Sequence, residues 1–248
     1  MLERLNQALV SRRFLKAIAG IDCHDPAVVA QVAEAAHRGG ADAVDVAADP
    51  ALVAEVRRLA PDAVVFASSI VPDVLVASGA DVLEIGNYDA LYRAGETPTA
   101  EEVLGWTRRT VALASPGTPV CVTLPGRLPM PQQLDLARQL QAAGASLLQI
   151  EGTLAYPEPG LAGALRNLAE ALQVVSAVAG VVEIPVFLAG GLDALSAPHA
   201  VASGACGVGV GRALREAGGV EGGTAVLCAI RAAMERISLP GRGLHAQA

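Results

Sequence analysis

The chain has 248 residues, 52% hydrophobic and 3% aromatic, with a formal charge of −7. With no basic run and few stacking aromatics, that balance excludes a nucleic-acid binder, yet it leaves room for a small anionic ligand in a locally positive pocket. Neither an apolar run of about 18 residues nor a charged-then-apolar leader is present, so the expectation is a soluble cytoplasmic protein without membrane contact.

Met1 to Arg13 predicts an amphipathic helix ahead of a first strand, LKAIAG, beginning at Leu15. Asp25-Pro26 and Asp49-Pro50 each set a capping Asp before a proline at the first helical position, and VVAQVAEAAHR and ALVAEVRRLA follow with the helical period. AVVFAS from Ala63 reads as a strand. Thr99-Ala100-Glu101-Glu102 fits a capping box opening the helix that holds Trp106. PVCVTL from Pro119 is a strand, Pro131 to Ala143 a helix, and Gly160 to Gly180 another. IPVFLAGG from Ile184 is a strand, Ser196 and Pro198 open a short helix ending at Gly204, and Gly222 to Ile237 closes the set.

Four further strands lie in segments that read alike: GGADAVDVAADP from Gly39, SGADVLEIGNYD from Ser78, AGASLLQIEGT from Ala143 and SGACGVGVGRA from Ser203. Each reads as a helix ended by a left-handed glycine, a tight turn and a buried strand. Eight strands alternating with eight helices over this length predict an α/β fold, a single (β/α)8 TIM barrel spanning 1–248, with an extra helix within 1–13 and a flexible tail over 240–248. An open Rossmann-like sheet is the weaker alternative, because no GxGxxG follows the first strand. Cys23, Cys121, Cys206 and Cys228 show no CxxC spacing and read as reduced thiols packed as small hydrophobes.

The repeats fix a register. Five residues beyond the turn glycines stand Asp45, Glu84, Gln149 and Gly209; seven beyond stand Ala47, Gly86, Glu151 and Gly211. Their neighbours Val44, Val46, Leu83, Ile85, Leu148, Ile150, Val208 and Val210 are apolar. Since strand side chains alternate, the apolar column should face the helices and the polar column the barrel interior near its C-terminal mouth, where barrel enzymes react. Asp45, Glu84 and Glu151 are therefore candidate catalytic acids and bases; the alternative is a buried polar layer satisfied internally. Lys16, the single lysine beside seventeen arginines, is the cation that could sit among them, although composition alone could also leave one lysine in an arginine-rich chain.

Gly190 and Gly191 end strand seven, and Gly209 and Gly211 lie in strand eight. Barrel phosphate sites are built at those two strand ends from backbone N–H groups, so these glycines are candidate phosphate ligands, with Arg212 adding charge. The alternatives are glycines needed for turns alone and a solvent-facing arginine. Ser68, Asn87, Thr123 and Gln149 are candidate substrate contacts. His24, His37, His199 and His245 lack spaced partners, and no metal site is expected.

The runs KAIAG, ADAVDVAADP, ADVLEIGNYDALY, TAEEVL, VTLP followed by QQLDLA, LLQIEG and GACGVGVGRAL resemble the hypothetical chloroplast reading-frame twenty-three family of cyanobacteria and red-algal plastids. The resemblance covers Leu15 to Ile237 and is most specific at EIGNYD and GVGVG. It implies a TIM barrel with a phosphate-binding end, without a settled activity, in the plastid stroma for plastid members. It also implies a shared lysine at Lys16, an Asp at Asp45, the Glu84 to Asn87 run and the Glu151-Gly152 pair. The sequence departs from the family at Gly126-Arg127, where a histidine-containing turn is expected, and in the loop Thr153 to Gly160. A fainter likeness runs to sugar-phosphate epimerase barrels.

Three readings follow. In the first, an isomerase, epimerase or lyase acts on a small phosphorylated molecule, with Lys16 as acid, electrostatic anchor or, if desolvation lowers its pKa, Schiff-base former. In the second, a binding or regulatory protein keeps the phosphate cradle without turnover. In the third, FMN phosphate occupies the same strand ends, although no flavin motif is seen. The cofactor is otherwise left open, and apolar stretches such as VVSAVAGVV are read as exposed faces suited to self-association.

Overall fold

A computed structural model describes residues 2–86, 88–151 and 161–237. Eight parallel strands close into one barrel in sequence order: β1 (Phe14–Gly20), β2 (Ala43–Ala47), β3 (Val64–Ser68), β4 (Val82–Ile85), β5 (Val120–Leu124), β6 (Leu147–Glu151), β7 (Val186–Ala189) and β8 (Gly207–Val210). Every strand residue is buried, as expected where helices cover one face and side chains fill the other.

Eleven helices are described: α1 (Leu2–Val10), α2 (Pro26–Gly39), α3 (Pro50–Leu59), α4 (Pro72–Ala77), α5 (Asp89–Arg93), α6 (Ala100–Leu113), α7 (Met130–Ala142), α8 (Leu161–Ala179), α9 (Ala197–Ala202), α10 (Arg212–Glu216) and α11 (Val220–Glu235). The caps form as read. The side chains of Asp25 and Asp49 accept from Ala27 N and Ala51 N at 2.9 and 2.7 Å, and the Thr99–Glu102 capping box is complete. The short α5 and α10 were not foreseen.

The repeated segment has a mechanical basis. Its turn glycines, Gly40, Gly79, Gly144 and Gly204, all hold positive φ, which a side chain would oppose. Two residues on, Asp42 and Asp81 each bracket the preceding strand. Asp42 Oδ2 accepts from Leu15 N at 2.8 Å while its own N donates to Leu15 O; Asp81 does the same with Val65. Ser146 repeats the bracket with Val120, and Cys206 keeps only the backbone half, to Val186 O. The motif thus pins each even strand to the one before it.

Two apolar cores result. The larger lies between barrel and helices, and the smaller fills the N-terminal end of the barrel, where Leu5 and Leu9 of α1 close over Phe14, Val64, Phe66 and Phe187. VVSAVAGVV belongs to the larger core: Val174, Val175 and Val178 are buried, so the expected exposed pairing face is absent there. All four cysteines are free. Cys121 and Cys206 are buried as expected, whereas Cys23 is half-buried and Cys228 exposed.

Candidate active site at the barrel mouth

Strand register stacks the interior into layers of four, contributed alternately by odd and even strands. Lys16, Phe66, Cys121 and Phe187 form one layer. Above it, toward the C-terminal end, stand Asp45, Glu84, Gln149 and Gly209. Ile18, Ser68, Thr123 and Ala189 come next, and Ala47, Gly86, Glu151 and Gly211 form the mouth.

Lys16 points inward and is fully buried. Its Nζ lies 2.5 Å from Glu84 Oε2 and 4.9 Å from the ring centroids of both Phe66 and Phe187. Burial works to lower its pKa, but the charges of Glu84 and Asp45 outweigh it, and the amine is held above its ordinary value. The lysine is therefore an ammonium, which removes the condition under which it was expected to act as a Schiff-base nucleophile.

Asp45 is equally buried and accepts from Ser68 Oγ at 2.5 Å. Burial raises its pKa most, Lys16 opposes, Glu84 raises it further, and the result is about 7. Gln149 donates from Nε2 to Thr123 Oγ1 at 2.9 Å. Cys121, the thiol neighbour of Glu84, is pushed well above its ordinary value by burial and then by that carboxylate.

Glu151 occupies the mouth itself. Its Oε1 accepts from the Tyr92 hydroxyl and, at 2.7 Å, from Gly126 N. The Arg127 guanidinium stacks on the Tyr92 ring at 4.2 Å. Burial, followed by the Glu151 charge, keeps the Tyr92 phenol far above its usual range and therefore protonated. The Gly126-Arg127 turn, which departs from the expected histidine-containing turn, thus builds the wall around Glu151.

The chain leaving β4 crosses this mouth. Tyr88 donates to Thr123 O on β5 at 3.1 Å, Tyr92 reaches β6 through Glu151, and Arg93 pairs with Asp22 beyond β1. One short segment touching three strand ends around the barrel must lie over the opening. Beneath it Asp45 and Glu84 are fully buried, with the Ile18, Ser68, Thr123 and Ala189 layer also above them.

On the adjoining part of the rim, Gly190 and Gly191 are exposed with positive φ, and Arg212 Nη2 lies 3.1 Å from where a Cβ on Gly191 would stand. Arg215 Nη1 is 3.3 Å from the same point on Gly211 and 3.4 Å from Ala19 O, so two guanidinium groups flank the β7–β8–β1 rim. Gly209 sits deeper, in the acid layer. A Cβ there would meet Ile18 Cδ1 at 2.9 Å and Ala189 Cβ at 3.0 Å, so its first requirement is packing. Asn87 and the loop Thr153 to Gly160 lie outside the described residues. His24, His37 and His199 are exposed, and among the described residues no His, Cys, Asp and Glu cluster is placed to hold a metal. Sequence reasoning missed Tyr88, Tyr92, Arg93, Arg215 and the aromatic pair around Lys16.

The sequence pattern described as "Protein of unknown function (DUF561)" matches residues 1–238. The chain belongs to this family. "Uncharacterized protein ycf23" of Cyanophora paradoxa is 31% identical over 227 residues, covering 89% of this chain and 92% of that protein. Its counterpart in Antithamnion sp. is 29% identical, covering 88% and 83%. The resemblance read from EIGNYD and GVGVG is thereby shown. Among solved structures, GGGPS from Thermoplasma volcanium aligns with a TM-score of 0.67 at 16% identity over 97% of this chain and 99% of that one. Thiamine phosphate pyrophosphorylase from Pyrococcus furiosus gives 0.62 at 18%, over 92% and 98%. A 3-hexulose-6-phosphate synthase gives 0.62 at 20%, over 89% and 99%. These likenesses place the DUF561 chain among TIM barrels, the α/β barrel with an N-terminal helix expected from the sequence. No helix among the described residues is long and apolar enough to cross a membrane.

Proposed function

We propose that this DUF561 protein is an acid–base enzyme, an isomerase, epimerase or lyase, acting on a small phosphorylated molecule at the barrel mouth. The carrying observation is the buried Lys16–Glu84 pair beside Asp45, whose pKa is pushed up to about 7. A base that titrates near neutrality both accepts and returns a proton efficiently. Glu84 is the ion-pair partner of the Lys16 ammonium, and Lys16 serves as the electrostatic anchor. Glu151, kept in place by Tyr92 and Gly126, is the second proton-transfer candidate. Gly190, Gly191, Gly211 and Arg212 form the phosphate end, joined by Arg215. Gly209 contributes depth, Ser68, Thr123 and Gln149 line the approach, and Asn87 stays a candidate substrate contact on the sequence alone. Two fold neighbours are named for enzymes of phosphorylated compounds, which supports the reading by analogy.

On this reading the segment Tyr88 to Arg93, tied to Thr123 and Glu151 through its two tyrosines, moves aside to admit the ligand. The alternative of a non-catalytic binding protein draws on the same closure. The FMN reading has no flavin motif in the sequence to support it. The test is proton exchange in deuterated water with a panel of ketose and aldose phosphates, followed by NMR. The wild type should incorporate deuterium beside the carbonyl of one panel member, Asp45→Asn should not, and Arg212→Ala should weaken binding. Tight binding without exchange across the panel would favour the non-catalytic alternative.

A further inference from the structure

Three buried oxygens in the acid layer have no hydrogen-bond donor among the described residues: Asp45 Oδ2, Glu84 Oε1 and Gln149 Oε1. They share the layer with Gly209, which offers no side chain, and the nearest thiol, Cys121, is a weak donor. A buried acceptor left without a donor is costly, so such a set is retained where something else supplies the donors. Reversing the Gln149 amide would replace only one of the three acceptors by a donor. The charge is balanced only while Asp45 keeps its proton; above about pH 7 one ammonium faces two carboxylates. At the mouth, Glu151 on β6 stands beside the β7–β8–β1 rim that carries Arg212 and Arg215.

We infer that the ligand is a phosphorylated polyol or amine, whose hydroxyl or ammonium groups descend onto Asp45, Glu84 and Gln149 while its phosphate stays at the rim. This rests on the phosphate reading proposed above. It selects against phosphorylated carboxylic acids, since a second anion entering the layer would bring further acceptors to oxygens that lack donors. It also selects against phosphorylated alkyl or aryl groups, which would cover the acceptors without satisfying them.

Matched probes test it by calorimetry: glycerol 3-phosphate against propyl phosphate, ribitol 5-phosphate against pentyl phosphate, and 3-aminopropyl phosphate against 3-phosphoglycerate. The first of each pair should bind at least about tenfold more tightly, the contribution of roughly one hydrogen bond to a charged acceptor. Excess inorganic phosphate should compete with all of them. In Glu84→Gln, where one oxygen gives way to a donor, the preference within each pair should shrink; a melting curve shows whether the variant is folded, and the wild-type comparison stands without it. Equal binding within each pair, with competition by phosphate, overturns the donor inference and keeps the phosphate reading. Binding of free polyols or amines without phosphate competition overturns the phosphate reading and keeps the acceptor floor. Binding of no probe overturns both.

Discussion

Replacing Lys16 by Met keeps the volume of the side chain and removes its charge. Glu84 and Asp45 then share a water-free layer without a cation, and the contacts to Phe66 and Phe187 lose their electrostatic part. Breaking a buried pair by removing one partner costs about 3–5 kcal/mol, a large share of a typical domain's stability of about 5–15 kcal/mol. The loss must depend on pH. In the folded variant Asp45, already raised to about 7 and now without the cation that opposed the rise, holds a proton that the unfolded chain releases above its ordinary carboxylate pKa of about 4. The folded state then binds more protons, so its stability rises as pH falls from 8 to 5. Adding Glu84→Gln should recover most of the loss, because Lys16 and Glu84 act on Asp45 in opposite directions and leave together. Urea unfolding followed by the fluorescence of Trp106, which packs half-buried against the main core, reads all three proteins at both pH values. A loss below about 1 kcal/mol at pH 8, or a double variant no better than the single one, would refute the idea that this pair governs the layer's electrostatics.

Other expectations follow from the same geometry. Asp45 has a raised pKa, so the wild type loses stability as pH climbs from about 4 through about 7; relative to it, Asp45→Asn should gain roughly 3 kcal/mol between pH 5 and pH 9 in urea titrations. A flat difference between the two would deny that Asp45 holds its proton. Tyr92→Phe removes the hydroxyl bound to Glu151, and amide exchange across Tyr88 to Arg93 should quicken about fivefold, the equivalent of one hydrogen bond; unchanged exchange would mean that α5 is held by packing alone. Gly209→Ala sets a methyl against Ile18 and Ala189 and should cost about 1–3 kcal/mol by thermal melting.

The barrel was legible because its even strands announce themselves locally. A left-handed glycine, an alanine, a bracket residue such as Asp42 or Asp81 and a buried run recur at the helix-to-strand turns, and each feature acts within a few residues. Counting from those glycines placed Asp45, Glu84, Gln149 and Gly209 in one column, and strand pairing brings them into one layer. β1 carries no such turn. Leu15, Ala17 and Ala19 alternate with Lys16, Ile18 and Gly20, and either set could face inward until pairing with Ala43 and Gly209 decides. GVGVG looked like one rim element, yet its alternate glycines occupy successive depths. The roles of Tyr92 and Arg93 depend on reaching β6 and the turn beyond β1, a property of the closed barrel and not of five residues in α5.

The composition of the interior bears on whether the site is used at all. Large branched apolar side chains ordinarily fill the middle layers of such barrels. The lower end here obeys that rule, with Phe14, Val64, Val82 and Leu147 packed under Leu5 and Leu9. Above it Lys16 enters beside Phe66, Cys121 and Phe187, and the next layer holds Asp45, Glu84 and Gln149, all buried, with three oxygens lacking donors. Hydrophobic residues of similar volume would usually be as stable or more stable in such a position. Structural need is met by the lower layers, so the upper ones carry a stability cost that packing does not explain. The cost falls at the end of the barrel where rim glycines, two arginines and a crossing segment also converge. That coincidence favours a working site over a merely inherited one, and the pH dependence of Asp45→Asn measures the cost directly.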